Sequence, residues 1–344
     1  MSDLRRILAA AVSIWLLGSG AMCLPAAGRD AKLVLHPQKA PADVGKFSLL
    51  PPESAMIDGD ALPLYEKAIQ ALPDKAGDDQ IAKWLDVPLD QLPLDQVEQS
   101  LTQRMDSLKS VAKVVKCRQC NWPAWKPEMK SVNLQEYRRL ALVIRLWARM
   151  EIADEGYEGA ILAFQTGFGM ARHLGQAPTT MQVLVGVAVG SVMSREVGEF
   201  VQREGAPNLV LALASMPRPF VDTEELIEMD RRNALAEWKD KMSSEQIESE
   251  LKKSHDPIRL LVKGFDCDLA ALQCVEAIRA YAAAHDGKLP MVLTDITEGS
   301  VPQDPMSGGP FRYSRTGLTA VLESTLPAGV AERRRIRYEI SIQN

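Results

Sequence analysis

Two cysteines three positions apart form the most reactive short motif of this chain. Cys117-Arg118-Gln119-Cys120 has the spacing of thiol-disulfide oxidoreductases, in which one sulfur attacks a disulfide as a thiolate. The same spacing fits a structural disulfide. It does not fit haem attachment, because Asn121 occupies the position at which that motif requires histidine. We favour a structural disulfide and keep a redox-active pair as the alternative.

Cys267 and Cys274 lie on one predicted helix, in a stripe of residues spaced three or four apart. Seven helical residues separate the two sulfurs by about 10 Å, which is too far for a disulfide between them. The separation is also too large for both to bind one zinc ion easily. Four cysteines are therefore the disulfide candidates, with their pairing left open: Cys117, Cys120, Cys267 and Cys274.

The remaining reactive side chains form no recognisable catalytic motif. The four histidines are scattered along the chain: His36, His173, His255 and His285. The sequence has no histidine pair with zinc spacing, no nucleophile elbow and no phosphate-binding loop. We therefore predict no catalytic residue, no cofactor and no metal site. The alternative is a hydrolase whose site is assembled from separate carboxylates such as Glu151, Asp154 or Glu158.

The first 28 residues read as an export signal. Two arginines precede the apolar run ILAAAVSIWLL, and small residues follow it. Cleavage is expected near Ala26-Ala27-Gly28 or Ser19-Gly20-Ala21. An uncleaved anchor is the alternative, because Ile7 to Leu24 has no charge and nearly reaches the length of a membrane span. We expect the body of the protein in the periplasm or cell envelope, where an oxidising environment favours disulfides.

Composition excludes one large class of partners. The chain has 46% hydrophobic and 25% charged residues, as globular proteins do, and its net charge of −5 is mixed in sign along the sequence. Nucleic-acid binding depends on clustered lysine and arginine. We therefore expect no nucleic-acid partner, and membrane contact only through an N-terminal anchor.

Small residues recur at every fourth position on two predicted helices. Such rows share one helix face: Gly159, Ala163, Gly167 and Ala171, then Gly186, Gly190, Ser194 and Gly198. The connection at 175–178 contains Gly and Pro and is short, so we predict an antiparallel hairpin with the two rows facing each other. The apolar run from Met181 to Met193 is too short to span a bilayer, and we predict a buried core helix.

Three arginines lie near one face of the predicted helix at 133–155: Arg138, Arg145 and Arg149. They could bind an anion, but a solvated face paired with Glu151 and Asp154 is the expected arrangement. On the second helix of the hairpin, Arg195 and Glu196 could point inward as a polar pair. We expect them to reach solvent instead, because charged side chains are rarely buried.

The chain divides into four predicted segments: a signal at 1–28, an extended Pro-rich lead-in at 29–60, a helical domain at 61–256 and a tail at 257–344. Pro257 is expected to open the long helix of the tail. Three alternating runs then predict a small antiparallel sheet: 311–315, 318–323 and 336–342. The fold class predicted is mainly α, an antiparallel helical bundle or array with a three-stranded antiparallel sheet at its end.

Two short fragments resemble tetratricopeptide helices. Tyr65 to Pro73 is similar to the second helix of a repeat, and Gly156 to Ala171 is similar to a repeat turn followed by a helix. No copy of the pattern lies between them. Because at least three stacked repeats are normally needed for stability, we do not expect a regular solenoid.

A longer resemblance covers about residues 269 to 323. Ala277 to Tyr281, His285 to Pro290, Val301 to Pro305 and Pro310 to Tyr313 are similar to the globular region of type II secretion pseudopilins. The resemblance implies a long helix, an Asp-Pro turn and a small antiparallel sheet. The helix here is internal, without a prepilin processing site, and no Asp-rich calcium loop follows Glu323. Pilus assembly and calcium binding are therefore not expected.

The whole arrangement resembles a group of bacterial exported helical proteins for which no activity is known. That resemblance implies an architecture and a compartment. We predict a non-catalytic interaction or scaffold protein of the cell envelope with a protein partner. The alternatives are the carboxylate hydrolase and a thiol-redox protein that uses Cys117 and Cys120.

Overall fold

The computed structural model describes residues 29–43, 47–123, 132–238 and 240–343. Within this part the chain is mainly helical, with ten α-helices and a small mixed sheet, which confirms the predicted fold class at that level. The predicted export signal lies outside the described residues. Among the described helices, none has the length and apolar character that crossing a membrane requires.

Four short helices form the first part of the body: α1 (Leu62–Gln70), α2 (Asp78–Asp86), α3 (Leu94–Thr102) and α4 (Met105–Val114). The sequence predicts one long helix from Pro93 to Val115, but this segment breaks between Thr102 and Met105. The predicted apolar stripe is nevertheless buried on both halves, through residues such as Val97 and Leu108. Burial of the stripe does not require an unbroken helix.

Three longer helices form the centre: α5 (Leu134–Ala153), α6 (Tyr157–Gly175) and α7 (Thr180–Phe200). The side chain of Asn133 accepts a hydrogen bond from the Gln135 amide at the start of α5, and Thr179 caps α7 in the same way. Such caps satisfy amides that have no partner inside the helix. The run from Met181 to Met193 lies in α7, and four of its five valines are buried, as predicted for a core helix.

Three helices complete the helical part: α8 (Val210–Ala214), α9 (Glu224–Trp238) and α10 (Ser244–Ala284). The prediction that Pro257 opens the last helix is wrong, since Pro257 lies inside a continuous 41-residue helix. Ser243 and Gln246 form a capping box that starts the helix earlier. Because Pro257 has no N–H, only the carbonyl of Lys253, four residues earlier, loses its helical hydrogen bond. Lys253 is exposed, so water can satisfy that carbonyl.

The small-residue rows of α6 and α7 do not face each other along their length, contrary to the prediction. Gly186 does pack against the α6 backbone, because a Cβ there would lie 2.8 Å from the carbonyl oxygen of Ala171. A Cβ at Gly190 would instead meet Phe265 of α10, and one at Gly159 would meet Glu151 of α5. The glycines thus admit side chains from several different neighbours.

The C-terminal sheet contains four strands, not three, and it is mixed. Strands β4 (Arg312–Thr316), β5 (Thr319–Glu323) and β6 (Ile336–Ile342) are antiparallel neighbours, as predicted. Strand β1 (Arg29–Leu35) pairs in parallel with β6, giving the order β1-β6-β5-β4. The first seven residues of the predicted lead-in are therefore a strand, which covers the otherwise unpaired edge of β6. A second, two-stranded sheet joins β2 (Ile57–Asp60) to β3 (Cys117–Gln119).

One continuous hydrophobic core joins the helices to the sheet, with members such as Leu33, Phe164 and Ile340. Arg279 and Glu276 form a buried ion pair on α10, and both also hydrogen-bond to neighbouring segments of the chain. Arg279 donates to the His36 carbonyl oxygen at 2.8 Å, and Glu276 accepts from the Leu209 amide at 2.7 Å. The helical part and the tail are packed together at this point.

Candidate functional site

The structure buries all four cysteines of its described part and leaves them as free thiols. Cys117 lies on β3 and Cys120 directly follows it. Cys267 and Cys274 share α10, as predicted, and face the core. The structure adds no support to the proposed disulfides, which stay a prediction.

The surroundings of the Cys117-to-Cys120 segment do not suit redox chemistry. Burial raises the pKa of Cys120 to about 12, with the nearby charge of Asp60 adding to the effect, and burial also raises the pKa of Cys117. A redox-active thiol needs the opposite, a lowered pKa that yields thiolate at neutral pH. The geometry therefore gives no support to the thiol-redox alternative.

His173 connects this segment to the body. Its Nδ1 lies 3.0 Å from the Tyr65 hydroxyl and its Nε2 lies 3.0 Å from the Cys117 carbonyl oxygen. Because a carbonyl only accepts, Nε2 carries the proton and Nδ1 accepts from the hydroxyl. Burial lowers the pKa of His173 to about 4, so the ring is neutral at neutral pH. Trp122 also donates to the His173 carbonyl oxygen, at 2.8 Å, and the cluster holds the segment in place.

The three carboxylates of the hydrolase alternative do not form a site. Glu151 accepts from the Trp147 indole N–H at 2.9 Å and packs over Gly159. Asp154 and Glu158 are exposed at the turn between α5 and α6. None of the three lines either of the two cavities described below. Neither of these two cavities therefore offers a pocket for the hydrolase alternative.

The arginine face of α5 is buried, and the prediction of a solvated face is wrong. Arg145 donates to Glu196 of α7 at 2.6 Å, and Arg149 donates to the other carboxylate oxygen at 3.3 Å. Glu196 has no exposed surface, whereas Arg195 reaches solvent as expected. Both arginines therefore pair with a helix distant in sequence rather than with Glu151 or Asp154. Sequence reasoning missed the role of Glu196.

A second carboxylate, Asp304, is fully buried in the tail. One oxygen accepts from the Met306 amide at 2.8 Å and from the Cys267 thiol at 3.3 Å. The other accepts from the Ser307 hydroxyl at 2.9 Å and from the Thr325 amide at 2.7 Å. Both oxygens are occupied by the protein itself, which gives Asp304 a structural role in the predicted Asp-Pro turn.

Exposed apolar side chains cluster at one end of the sheet. We call Met291, Val292 and Leu318 the sheet tip; their exposed fractions are 67%, 50% and 86%. Leu318 lies in the turn between β4 and β5, and the other two follow α10. Arg315 joins the two segments, since it donates to the carbonyl oxygens of Gly317 and Leu289. The tip is therefore presented on hydrogen-bonded backbone.

The strand register sets the direction in which the tip points. Thr319, next to the tip, pairs with Ser341 of β6, and Val34 of β1 pairs with the same residue. Arg29 pairs with Ile336 at the other end. Five residues along a strand span about 17 Å. The chain that precedes β1 therefore joins the sheet at the end opposite the tip.

The described part of the surface includes two cavities with well-defined linings. One, of about 310 Å³, is lined by five residues between Gln38 and Asp43 together with Phe47, Pro207 and Asn208. The other, of about 510 Å³, lies between α2 and α5 and is lined by both apolar and charged side chains. In the described residues no group of three acidic, histidine or cysteine side chains is arranged to hold a metal ion.

Comparisons with known proteins do not add to this geometry. No protein-family model, curated protein or solved structure matches the chain. Function must therefore be argued from the residues themselves.

Proposed function

We propose that this chain is an exported, non-catalytic helical scaffold of the cell envelope that binds a protein partner at the sheet tip. The observation that carries the proposal is the group of three large apolar side chains held in water at one end of the sheet. Single exposed apolar residues are common, but an adjoining group marks an interaction surface. Burying such side chains contributes about 1.5–3 kcal/mol each.

The chemistry of the tip fits a protein interface. Met291 and Arg315 approach within 3.6 Å of each other, sulfur to guanidinium nitrogen, beside the exposed Leu318. Methionine and arginine are both enriched in protein interfaces, where apolar centres are bordered by polar groups. The backbone under the tip is fixed by hydrogen bonds, including that from the Tyr313 hydroxyl to Pro290. Little ordering entropy is then lost on binding.

If the N-terminal signal is retained as an anchor, the direction of the tip favours a protein over a lipid surface. The proposed export signal precedes β1, whose first residue lies at the opposite end of the sheet. An anchor there would hold that end at the bilayer, about 17 Å from the tip along the strand. The tip would then face the aqueous side of the envelope.

In this proposal the helical part is the rigid body on which the sheet tip is mounted. We also propose that α6 and α7 run antiparallel within a bundle. Gly186 contacts Ala171, Met193 lies at Gly167, and the Phe200 ring packs on Phe164. Going from Gly186 to Met193 to Phe200 along α7, the contacted residues on α6 run backwards, from Ala171 to Gly167 to Phe164. That order is expected of an antiparallel pair joined by a short connection.

Site-specific photocrosslinking tests the proposal. A photoreactive amino acid replaces Leu318 in the full-length chain, expressed at native level in intact cells. The matched control replaces Leu162, another exposed leucine, which lies on α6. We expect one stoichiometric protein adduct from position 318 and none from position 162. The adduct should disappear when Met291→Gln and Val292→Gln are added, with the unfolding midpoint unchanged.

Each other outcome counts against the proposal. Adducts with lipid would mean that the tip contacts the membrane, and adducts with a second copy of the chain would mean self-association. Equal labelling at positions 318 and 162 would mean nonspecific contact. Recovery of the chain from the cytoplasm rather than the envelope fraction would overturn the export part.

A further inference from the structure

The two edges of the mixed sheet differ in how much of their backbone is covered. The strand order β1-β6-β5-β4 makes β1 and β4 the edge strands. The β1 edge is contacted by the helical body, because the Val34 amide donates to the side-chain oxygen of Gln202 at 3.3 Å. Before β4, a bridge joins Gln303 to Pro310 and ends short of the strand. No described segment hydrogen-bonds to the outer edge of β4 itself. Such an edge is a template for pairing with another chain.

The hairpin of β4 and β5 determines which backbone groups point outward. Its loop at 317–318 has two residues, and Thr316 and Thr319 form the closing pair. The closing pair of such a hairpin is hydrogen-bonded, and hydrogen-bonded pairs alternate along an antiparallel ladder. Every second residue of β4, counted back from Thr316, therefore bonds to β5. The amides and carbonyls of the residues between them, Tyr313 and Arg315, point away from β5 and have no partner in the described structure.

The charges on β4 favour an acidic neighbour. Arg312 lies on the exposed face, at the end of a cross-strand row whose signs alternate: Arg312, Glu323, Arg337 and Asp30. Glu323 is already paired with Arg337, at 3.2 Å. Arg315 lies on the other face and donates to carbonyl oxygens. Neither β4 arginine forms an ion pair with a described residue. An acidic residue on an added strand, opposite Arg312, would continue the alternation.

The open edge is continuous with the sheet tip. Leu318 lies in the turn at one end of β4. On the inner face of the strand, the Tyr313 hydroxyl donates to the Pro290 carbonyl oxygen at 2.9 Å, and Arg315 lies 3.6 Å from the Met291 sulfur. Met291 is 67% exposed and therefore lies beside the edge strand rather than under the centre of the sheet. A strand added about 4.8 Å from β4 would direct alternate side chains toward it.

We propose that the partner of the sheet tip adds an extended segment to β4 as a fifth strand, with acidic side chains on the face of Arg312 and apolar side chains on the face of Met291. This inference rests on the proposed function and specifies the form of the partner. Main-chain hydrogen bonds to Tyr313 and Arg315 would supply affinity, and the alternating side chains would supply specificity. Pairing with a second copy is disfavoured, because it would bring the arginines of two β4 strands together.

Titration of the isotope-labelled full chain with three defined peptides tests strand addition. The first is a blocked heptapeptide in which glutamate and valine alternate. The second has lysine in place of glutamate, and the third is the glutamate peptide with every backbone amide methylated. We expect the glutamate peptide to slow amide hydrogen exchange at Tyr313 and Arg315 by about tenfold or more at saturation, and not at Val34 on the opposite edge. The lysine peptide should bind about tenfold more weakly, and the methylated peptide should not bind.

Two pairs of variants locate the binding. Arg315→Pro deletes an outward amide and spares the β5 ladder, as prolines of natural edge strands do. Arg315→Val removes the same side chain and keeps the amide. We expect the proline variant to lose the glutamate peptide and the valine variant to retain it. Arg312→Glu should reverse the preference in favour of the lysine peptide, whereas Arg232→Glu, at an exposed position on α9, should not. Unfolding midpoints of all four variants verify that they fold.

Several results would overturn strand addition. Equal binding of the methylated peptide would mean side-chain contact alone, and this result is decisive even if Arg315→Pro does not fold. Equal loss in the proline and valine variants would assign the effect to the Arg315 side chain. Absence of binding, or binding without protection of Tyr313 and Arg315, would also contradict the proposal. A protein adduct from position 318 would in each case leave the function of the sheet tip standing. Peptide binding without that adduct would support the edge and overturn the tip.

Discussion

Two carboxylates without exposed surface, Glu196 in the helical body and Asp304 in the tail, are accommodated in opposite ways. Glu196 is neutralised by two guanidiniums of α5. Asp304 is surrounded by uncharged donors, two of which are the Met306 amide and the Ser307 hydroxyl. One solution uses charged partners on another helix, and the other combines a local turn with uncharged donors from Cys267 and Thr325.

The difference shows how each region obtains its specificity. A buried carboxylate is costly unless it is paired or hydrogen-bonded. In the body, Glu196 stabilises only the packing that brings α7 to Arg145 and Arg149, so the ion pairs select one helix arrangement. In the tail, Asp304 stabilises its own turn through Met306 and Ser307 and also ties that turn to Cys267 and Thr325 through uncharged donors. Loss of the first carboxylate leaves buried cations, whereas loss of the second leaves uncharged donors.

The largest effect is expected from Glu196→Ala. Removing the carboxylate leaves Arg145 and Arg149 buried without their counter-charge, which costs about 3–5 kcal/mol. Urea denaturation at neutral pH measures the change. Glu158→Ala, at an exposed position on α6, is the control and should stay within about 0.5 kcal/mol of the parent.

Apolar replacement of the whole group sharpens that result. Adding Arg145→Met and Arg149→Met to Glu196→Leu removes all three charges and should recover most of the lost stability. If this triple variant is as unstable as Glu196→Ala, unpaired charge is not the cause, and packing around α5 is.

A smaller loss, of about 2–3 kcal/mol, is expected from Asp304→Asn. Both oxygens accept hydrogen bonds, so either orientation of an amide turns its NH₂ group toward a donor. Thermal and urea unfolding give the value. Asp286→Asn is a matched control, because the Asp286 side chain is 92% exposed. Equal stability of the two variants would show that the donors around Asp304 do not hold the turn.

His173 provides a third case, a buried group kept uncharged, and the smallest expected effect. Its pKa falls from 6.5 to about 4 in the fold. Below pH 6.5 the unfolded chain therefore binds a proton that the folded chain does not, and stability is lost as pH falls toward 4. This loss reaches about 2 kcal/mol at pH 5.

Comparison with His173→Gln isolates the contribution of this ring. The unfolding free energies of the two proteins, measured from pH 7 to pH 5, should converge by about 2 kcal/mol, because glutamine does not titrate. Parallel pH profiles would mean that the ring is protonated equally in the folded and unfolded chains.

Local signals predicted the elements that depend on local chemistry. The acidic pair Asp78-Asp79 indicates the start of the helix Asp78–Asp86, and the strand Ile336–Ile342 was predicted with its observed bounds. The first begins with two acidic residues that favour a helix N-terminus, and the second alternates apolar and polar residues. Gly287, just after the end of α10, has a positive φ of 74°, a conformation that glycine adopts readily at a helix end.

Predictions that needed a distant partner were incomplete or wrong. Strand β1 was read as extended lead-in, because its partner Ile336–Ile342 lies about 300 residues away and parallel pairing leaves no turn signal. The glycine rows were assigned to one hairpin, yet Gly190 admits Phe265 from a helix later in the chain. Periodicity identifies a close-packed face but not the helix that approaches it.

The candidate sites follow the same division. The cysteines of α10 were correctly placed on one buried face, because spacing alone fixes that face. The cavity between α2 and α5 was not predicted, since it exists only where those two helices meet. The sheet tip was not predicted, because the sequence does not show whether an apolar residue in a turn is exposed or buried.

The sequence by itself therefore determined a mainly helical chain with C-terminal strands, the starts and ends of many elements, and the residues able to line a core. Tertiary structure decided which charges are buried and which residues pair with them. The physical reason is the distance over which each signal acts. Capping and periodicity act within a few residues, whereas the burial of Glu196 or Arg145 depends on segments that only folding brings together.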